Sequence, residues 1–339
     1  TGYGLYNMFE NNSNTSTLQG GIAARPASPH SSMFDWVIFD EASQMLVPQT
    51  MLSLVYGKGN FIFLGDIHQL PPVIRSAAFK EELRLGGLHD ELLKKEARFS
   101  ALDVLIRRYP HRSKQLDVTY RMNAEICMFP SLTWYDSMLR PAPENAQTRL
   151  FLNGLAKNDL FDKIINPQKP VVLALTDHQG CSQESAFEAE VMAKLACCLM
   201  LDKGVDKEQL ALITPHRAQN NLIARHLSEL LGDAATGLPL IDTVERIQGA
   251  ERDVILFGLT CSDPDHVLSE FLNNPNRFNV AITRARKKLI VVGSKIFFSA
   301  ISHTEEQLRA NACFKAFFEY CRENDSCFEF VLDCIETSQ

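Results

Sequence analysis

Two short apolar runs, at residues 34–39 and 61–64, each end in acidic side chains, and they constrain the fold more than any other feature of the chain. A buried parallel strand reads as a short, continuous apolar run, and the ligands of open α/β sheets collect at the carboxyl ends of such strands. Asp40 and Glu41 follow the first run, and Asp66 follows the second after one glycine. The sequence therefore predicts parallel strands that carry carboxylates to one edge of a sheet.

Carboxylates at such an edge suit phosphoryl transfer with a magnesium ion. Asp40 would hold Mg²⁺ through water, and Glu41 would orient or deprotonate the attacking water. Gln69, in the turn after Asp66, can hydrogen-bond both a terminal phosphate oxygen and that water. Two structural alternatives stay open: the acids cap the next helix, or the turn is held together by its own side chains.

Two further strand ends carry residues that suit phosphate contacts. A strand predicted at 116–119 is followed by Arg121, and a strand predicted at 210–213 is followed by Thr214 and Pro215. The second turn leads into a segment of helical spacing. It offers a hydroxyl and helix-start amides, which are sequence-blind donors to a nucleic-acid phosphate. An ordinary helix cap is the alternative.

The remaining apolar runs indicate the fold class. They alternate with segments of helical spacing, which is the mark of an α/β protein with a doubly wound parallel sheet. These predicted strands lie at 171–175, 241–244, 254–259 and 289–292. The spacing also predicts a closing amphipathic helix over 304–325 and a final strand at 327–334.

Composition limits the partners. The formal net charge of −7 and a pI near 5.8 are not those of a dedicated nucleic-acid-binding module, so any strand-binding groove must be a local basic lining. The nine cysteines show no Cys-x-x-Cys pairing, which indicates reduced core residues of a cytoplasmic protein and no zinc site. No signal peptide or membrane-length apolar segment is visible, so no membrane partner is predicted.

Six motifs that occur in order carry a family resemblance. They are VIFDEASQ at 37–44, GDIHQLPP at 65–72, YRMN at 120–123, ITPHRAQ at 213–219, TVERIQGAERDV at 243–254 and NRFNVAITRAR at 276–286. The chain resembles the superfamily 1 helicases, in the branch that contains the up-frameshift RNA helicase and the replication helicase-nuclease. The last two motifs are highly specific, and the resemblance covers nearly all of 34–294.

The resemblance implies tandem RecA-like sheets of the P-loop NTPase class, with the ATP site between the two domains. The first domain, which is truncated, spans 1–119. The second spans 120–300 with an irregular crossing at 136–169, and 301–339 forms a C-terminal helical extension. Charged, leucine-spaced helices at 76–114 would cover one face of the first sheet.

The resemblance also implies roles for residues of the second domain. Arg284 matches the arginine finger, and Arg121 matches a second arginine at the phosphates. Gln248, Gly249 and Glu251 lie in the loop that couples nucleotide to nucleic acid, with Glu251 at the ribose. The implied cofactors are therefore ATP and Mg²⁺.

Strand contacts are implied for Thr214, Pro215 and Thr243, and Asp66 completes the nucleotide-binding set. The partner is single-stranded nucleic acid, DNA or RNA, along which the family moves from 5′ to 3′.

The charged side chains that follow the arginine finger are expected to form a solvated basic face. These are Arg286, Lys287 and Lys288.

One family motif has no counterpart in the chain. No Gly-x-x-x-x-Gly-Lys-Ser/Thr pattern occurs, so we expect a fragment whose start was removed, itself inactive and able to associate through its incomplete first sheet. A degenerate homologue that lost ATP binding is the alternative origin. The alternative functions are a non-hydrolysing single-strand-binding or regulatory module and an interaction scaffold built on 76–114.

Overall fold

The computed structural model describes residues 33–72, 100–154, 159–232 and 237–330. The chain forms two compact units, residues 1–115 and 116–339. The sequence places this division slightly later, between 119 and 120, and either placement assigns Arg121 to the second unit. Of the helical segment predicted at 76–114, the part up to residue 99 lies outside the described ranges.

Unit 1 contains two parallel strands, β1 (Phe34–Phe39) and β2 (Gly57–Phe63), joined through helix α1 (Val47–Leu54). Helix α2 (Ala101–Arg108) packs on the same face of the sheet. The core between them consists of apolar side chains from all four elements: Phe39, Phe63, Leu54 and Leu102. The two apolar runs that follow each other in the sequence are therefore neighbouring strands, and β2 begins earlier than predicted.

The other face of this small sheet is apolar and open among the described residues. Trp36 and Ile38 are each 59% exposed, and Ile62, the partner of Ile38 on β2, is 38% exposed. Because strand side chains alternate between faces, these residues lie opposite the face that carries Phe39. Exposed apolar patches mark surfaces that other protein segments cover. Association through unit 1 stays a prediction.

Unit 2 is built on a six-stranded sheet in which every neighbouring pair is parallel. A small parallel pair, β3 (Val118–Thr119) and β4 (Arg140–Pro141), precedes it. The strands of the large sheet are β5 (Val171–Thr176), β6 (Leu210–Thr214), β7 (Leu240–Thr243), β8 (Arg252–Gly258), β9 (Ala285–Ser294) and β10 (Cys327–Phe330). Their order is β10-β5-β9-β8-β6-β7. The predicted α/β fold with a parallel, RecA-like sheet is confirmed.

Several helices of unit 2 begin at a side-chain cap. Asn123, Ser185 and Thr304 each accept a hydrogen bond from a backbone N–H of the first helical turn. The helices are α3 (Ala124–Trp134), α4 (Pro143–Ala146), α5 (Leu160–Ile165), α6 (Ala186–Cys197), α7 (Arg217–Leu231), α8 (Pro264–Val267), α9 (Pro275–Ile282), α10 (Lys295–Ser299) and α11 (Glu305–Glu323). No helix in the described part of the chain is long and apolar enough to span a membrane.

Both faces of the large sheet are covered. Helices α6 and α7 pack on one face, where Ile223 and Leu227 join a buried cluster with Leu212 and Leu256. Helices α9 and α11 pack on the other face through an aromatic cluster. In this cluster Phe278 of α9 contacts Phe257 of β8 and Phe314 and Phe317 of α11. The strands are therefore buried on both sides, which explains why their sequence signal is continuous and not alternating.

The predicted irregular crossing contains regular elements, and the predicted C-terminal extension contributes a strand to the sheet. The crossing at 136–169 includes β4, α4 and α5. In the expected extension at 301–339, β10 pairs with β5 from Cys327 to Phe330, so this region supplies an edge strand to the sheet of unit 2. Residues 331–339, which include the end of the predicted final strand, lie outside the described ranges.

A buried polar network ties the carboxyl end of β8 to helix α6. Glu188 is fully buried, and both of its carboxyl oxygens lie within 3.0 Å of the Thr260 nitrogen. His178 Nε2 lies 4.0 Å from the same group. Thr260 has φ 67°, a left-handed conformation that is costly for a β-branched residue. Burial raises the pKa of Glu188 to about 8, so its carboxyl group is mostly protonated at neutral pH.

We expect Glu188→Gln to remove a pH dependence of stability. Because the folded pKa of Glu188 is raised from 4.5 to about 8, the folded chain keeps a proton that the unfolded chain releases between these values. This group therefore lowers the free energy of unfolding as pH rises through that window, by at most about 1.4 kcal/mol per pH unit. Glutamine mimics the neutral carboxyl.

Urea unfolding measured between these pH values tests this prediction. The chain has two tryptophans, one in each unit, so Trp134 fluorescence in a Trp36→Phe background monitors the unfolding of unit 2. The stability of the Gln variant relative to wild type should rise with pH. A constant difference between the two proteins would contradict the prediction.

Candidate nucleotide and nucleic-acid sites

The carboxyl ends of β1 and β2 are joined by backbone hydrogen bonds. The Ala42 N–H donates to the Leu64 carbonyl over 2.7 Å, and the Leu64 N–H donates to the Phe39 carbonyl over 2.8 Å. Gly65 permits this contact, because a Cβ there would lie 2.9 Å from the Ser43 nitrogen. The turns that follow the two strands are thereby held side by side.

Asp40 and Glu41 are both exposed at this edge. The Glu41 N–H donates to Asp40 Oδ1 over 3.0 Å, and Glu41 Oε2 accepts from the Gln44 amide over 3.0 Å. Glu41 has φ 53° and ψ 39°, a left-handed conformation that is uncommon for any residue but glycine. Strained backbone of this kind clusters at functional sites, which supports the predicted role of Glu41.

The turn after β2 is organised by Asp66. Its Oδ1 accepts from the His68 N–H over 2.9 Å, and its Oδ2 accepts from the Gln69 side-chain amide over 3.0 Å. These bonds fix the orientation of Gln69. They agree with a polar turn held by its own side chains and also with a glutamine aimed at a phosphate, so the predicted roles of both residues stay predictions.

Unit 2 gathers an ion-pair cluster at the amino ends of β8 and β9. Arg121 Nε lies 2.7 Å from Glu251 Oε2, and Arg286 Nη1 lies 3.5 Å from Glu251 Oε1. Arg121 also donates from Nη1 to the Thr283 carbonyl over 3.1 Å. The cluster brings together three of the sequence motifs. Arg121 and Glu251, both predicted to contact nucleotide, are paired with each other in this structure.

Asp253 anchors the same cluster from β8. Its side chain is only 4% exposed, and it binds Arg286 Nε over 2.6 Å and Lys287 Nζ over 2.9 Å. Arg286 and Lys287 are thus partly solvated, at 39% and 33% exposure, but they are paired with a carboxylate and do not form a free basic face. Their charges are used to neutralise a carboxylate that the sheet buries, and this carboxylate is a residue that the sequence interpretation missed.

Lys288 also departs from the predicted basic face. It is fully buried within β9, and its Nζ donates to the backbone carbonyls of Asn166 and Lys169. Burial lowers its pKa well below the usual value. Lys288 therefore satisfies two backbone acceptors inside the fold instead of presenting a charge to a ligand.

Arg284 lies in the turn between α9, which ends at Ile282, and β9. Its side chain is buried, with Arg284 only 2% exposed, and its Nε donates to the Val280 carbonyl over 3.0 Å. An arginine finger must reach a phosphate, so the predicted role requires this guanidinium to leave its present position. The finger role stays a prediction.

The loop after β7 carries the other predicted nucleotide contacts. Gly249 has φ 82°, which glycine adopts without strain. Next to it, Gln248 Nε2 is buried and has no hydrogen-bond partner among the described residues. Leaving a buried donor unpaired costs about 1–3 kcal/mol, which a hydrogen-bond acceptor on a ligand would relieve. The donor set of this loop therefore fits a nucleotide.

The predicted strand contacts lie at the opposite, carboxyl edge of the sheet. Thr214, Pro215 and Thr243 are all buried. Thr214 Oγ1 lies 2.9 Å from the His216 carbonyl oxygen and 2.8 Å from Asn220 Oδ1, so its hydroxyl is already engaged. A strand would meet the more accessible residues of this turn, His216 and Arg217, before it met the threonine. The three contacts stay predictions.

Known families match both parts of the chain. Residues 97–296 match a family model described as an AAA domain, and residues 15–77 match a second model of the same description. The first match alone spans more than half of the chain. The chain belongs to the superfamily 1 helicases of the up-frameshift and DNA2-like branch.

Curated relatives of the family align with most of the chain. The DNA replication ATP-dependent helicase/nuclease DNA2 of Saccharomyces cerevisiae is 29% identical over 77% of this chain and 17% of its own length. The DNA polymerase alpha-associated DNA helicase A is 30% identical in S. cerevisiae, over 87% of this chain and 42% of that protein. Its Schizosaccharomyces pombe counterpart is 32% identical, over 77% and 37%. The chain thus spans less than half the length of these relatives.

Among solved structures, the arterivirus nonstructural protein 10 (helicase) aligns with a TM-score of 0.34 and 15% identity, over 84% of this chain and 49% of that one. The family assignment rests on the sequence matches and not on this low score.

We expect Gly65→Ala to destabilise unit 1, because the added Cβ would lie 2.9 Å from both the Ser43 nitrogen and Leu102 Cδ2. The strand ends must then separate, at a cost of about 1–3 kcal/mol for an overpacked site. Urea unfolding followed by Trp36 fluorescence in a Trp134→Phe background measures the loss. An unchanged unfolding midpoint would contradict the close contact.

We expect Asp253→Asn to destabilise unit 2 by about 1–3 kcal/mol, because Arg286 and Lys287 lose their shared carboxylate. Both cations are about one-third exposed, so solvent keeps the loss below that of a fully buried pair. Asp117→Asn is the control, since its pair with Arg140 is exposed and should contribute little. Equal small effects of both substitutions on Trp134-monitored unfolding would refute the anchoring role of Asp253.

Proposed function

We propose that the protein containing this chain hydrolyses ATP to move along single-stranded nucleic acid. The observation that carries the proposal is the Arg121–Glu251–Arg286 cluster, in which the family's motifs meet at one edge of the sheet of unit 2. Curated relatives are named as ATP-dependent helicases, which supports the same activity. The strand could be DNA or RNA.

Unit 1 would supply the hydrolytic carboxylates. Asp40 presents an exposed carboxylate at the end of β1, and one or two carboxylates completed by water and phosphate oxygens suit magnesium. The ion would neutralise phosphate charge when bound. Glu41 would orient or deprotonate the attacking water, and Gln69, positioned by Asp66, would hydrogen-bond the terminal phosphate.

Unit 2 would supply positive charge and ribose recognition. Arg121 is held by Glu251 in this structure, so nucleotide binding would exchange that pair for contacts of Arg121 with phosphate and of Glu251 with ribose. Arg284 would act as the finger after leaving the Val280 carbonyl. Gln248 and Gly249 would line the same site through the unpaired amide and the open backbone.

The carboxyl edge of the unit 2 sheet would bind the strand. The turn at Thr214 and Pro215 and the end of β7 at Thr243 lie at this edge, level with each other in the sheet register.

A compartment with reduced thiols suits the eight free cysteines of the described residues, which supports a cytosolic or nuclear location.

We expect Glu41→Gln to reduce ATP turnover by two orders of magnitude or more while leaving ATP affinity within a few-fold, because positioning and activation of water act on the transition state and not on binding. The test uses the protein in its full encoded length with Mg²⁺ and a single-stranded oligonucleotide. Glu305→Gln is the control, since Glu305 is exposed on α11.

Wild-type turnover should rise on addition of the oligonucleotide. Strand binding without any hydrolysis by the wild type would instead favour a non-hydrolysing binding module. Normal turnover in the Gln variant would remove Glu41 from the mechanism.

A further inference from the structure

A hollow of about 100 Å³ opens on unit 2 beside the turn that follows β6. A single water needs only about 10–15 Å³ on the same measure, so the hollow has room for a group of several heavy atoms. Its walls are aromatic, apolar and polar side chains: Ser182, Gln183, His216, His266, Ser269, Phe271 and Leu272. This composition is that of a site for a flat, partly polar ring.

Phe271 lines the hollow, and 42% of its surface is exposed although Arg277 and His216 contact its ring. The Arg277 guanidinium lies over its ring, 4.1 Å from the centroid, and also donates to the Phe271 carbonyl. The His216 ring lies on the hollow's margin, 5.3 Å from Phe271 between centroids and tilted by 35°. An exposed aromatic side chain with fixed orientation is a preorganised stacking surface.

Apart from His216, the charged and titratable side chains around the hollow are paired with carboxylates, which favours a base over a phosphate. His266 on the rim lies with Nδ1 3.0 Å from Asp263 Oδ2. Arg277 is committed to Glu245, with Nε 2.8 Å from Oε1, and its side chain is only 12% exposed.

His216 Nε2 is buried and has no hydrogen-bond partner in the described part of the chain, and burial lowers the pKa of this imidazole, which keeps it uncharged at neutral pH. The uncharged imidazole and the neutral polar side chains of Gln183 and Ser269 suit the polar edge of a nucleobase.

The hollow also lies where the strand is proposed to run. His216 follows Pro215 directly, and Glu245, which holds Arg277, lies two residues beyond Thr243. The hollow is thus linked to both turns of the proposed strand-binding edge. Single-strand binders commonly combine backbone contacts with aromatic side chains on which bases stack.

We propose that this hollow is a nucleobase pocket, in which one base of the bound single strand stacks on Phe271 beside His216. The inference deepens the proposed strand binding and rests on it. Phe271 supplies the π surface, Arg277 fixes its plane, and the polar side chains of the rim meet the base edge. The pocket adds base contact without sequence specificity, because every base has a π face.

The test measures binding of fluorescent oligothymidine over a range of salt concentrations for wild type, Phe271→Leu, Phe271→Trp and the control Phe151→Ala. Phe151 is also in unit 2 and is 81% exposed. Leucine keeps apolar bulk without a π face, so Phe271→Leu should bind about tenfold more weakly. Phe271→Trp and the control should bind within about twofold of wild type, and the salt slope should be the same for all four proteins, because no charge changes.

If Phe271→Leu binds the oligonucleotide with the affinity of the wild type, the pocket proposal is wrong. It is also wrong if the weaker binding of this variant comes with a changed salt slope or a changed unfolding midpoint. A wild type that binds no strand would instead refute the proposed function. A second arm uses 2-aminopurine, either within the oligonucleotide or as the free riboside. Fluorescence should change in a Phe271-dependent way only within the strand; a change with the free riboside would assign the pocket to a free nucleotide.

Discussion

The parallel pairing of β8 with β9 is the constraint on which the candidate nucleotide face of unit 2 depends. The register places Arg252 opposite Ala285, so that Glu251 and Asp253 lie beside Arg286. If either strand were shifted, side chains of like charge would lie next to each other. The buried carboxylate of Asp253 would also lose the cation beside it, which is costly in free energy. Correct pairing of two apolar strands therefore assembles the charged cluster, and the cluster in turn penalises any other register.

The loop at 244–251 connects the two edges of the same sheet. It starts at Thr243, at the carboxyl end of β7, and ends at Glu251, before the amino end of β8. β8 has seven residues, so these edges lie roughly 20 Å apart. One short segment thus contains both a proposed strand contact and a proposed nucleotide contact. If the proposed function is correct, this segment would connect the nucleotide contact to the strand contact.

The sequence was most informative where burial is two-sided. Continuous apolar runs located the strands of unit 2, including Leu210–Thr214, because a parallel sheet covered on both faces leaves no alternation to misread. Charged residues inside strands were least predictable. Lys288 and Asp253 are buried and interact with residues of distant segments, and no local sequence pattern predicts such interactions. Phe271 could not be predicted for the same reason, because its contacts with Arg277 and with His216 form only in the folded chain.

The backbone at Glu41 sets chemistry against conformational preference. A left-handed residue between β1 and the next turn is best served by glycine or asparagine, and any other side chain there costs about 1 kcal/mol or more. Random mutation followed by selection for stability alone would replace the glutamate. If Glu41 has the proposed role, a lineage that keeps the activity should keep a carboxylate at this position, and a lineage that has lost the activity should drift towards glycine or asparagine here. Position 41 would then indicate whether a related chain still works as an enzyme.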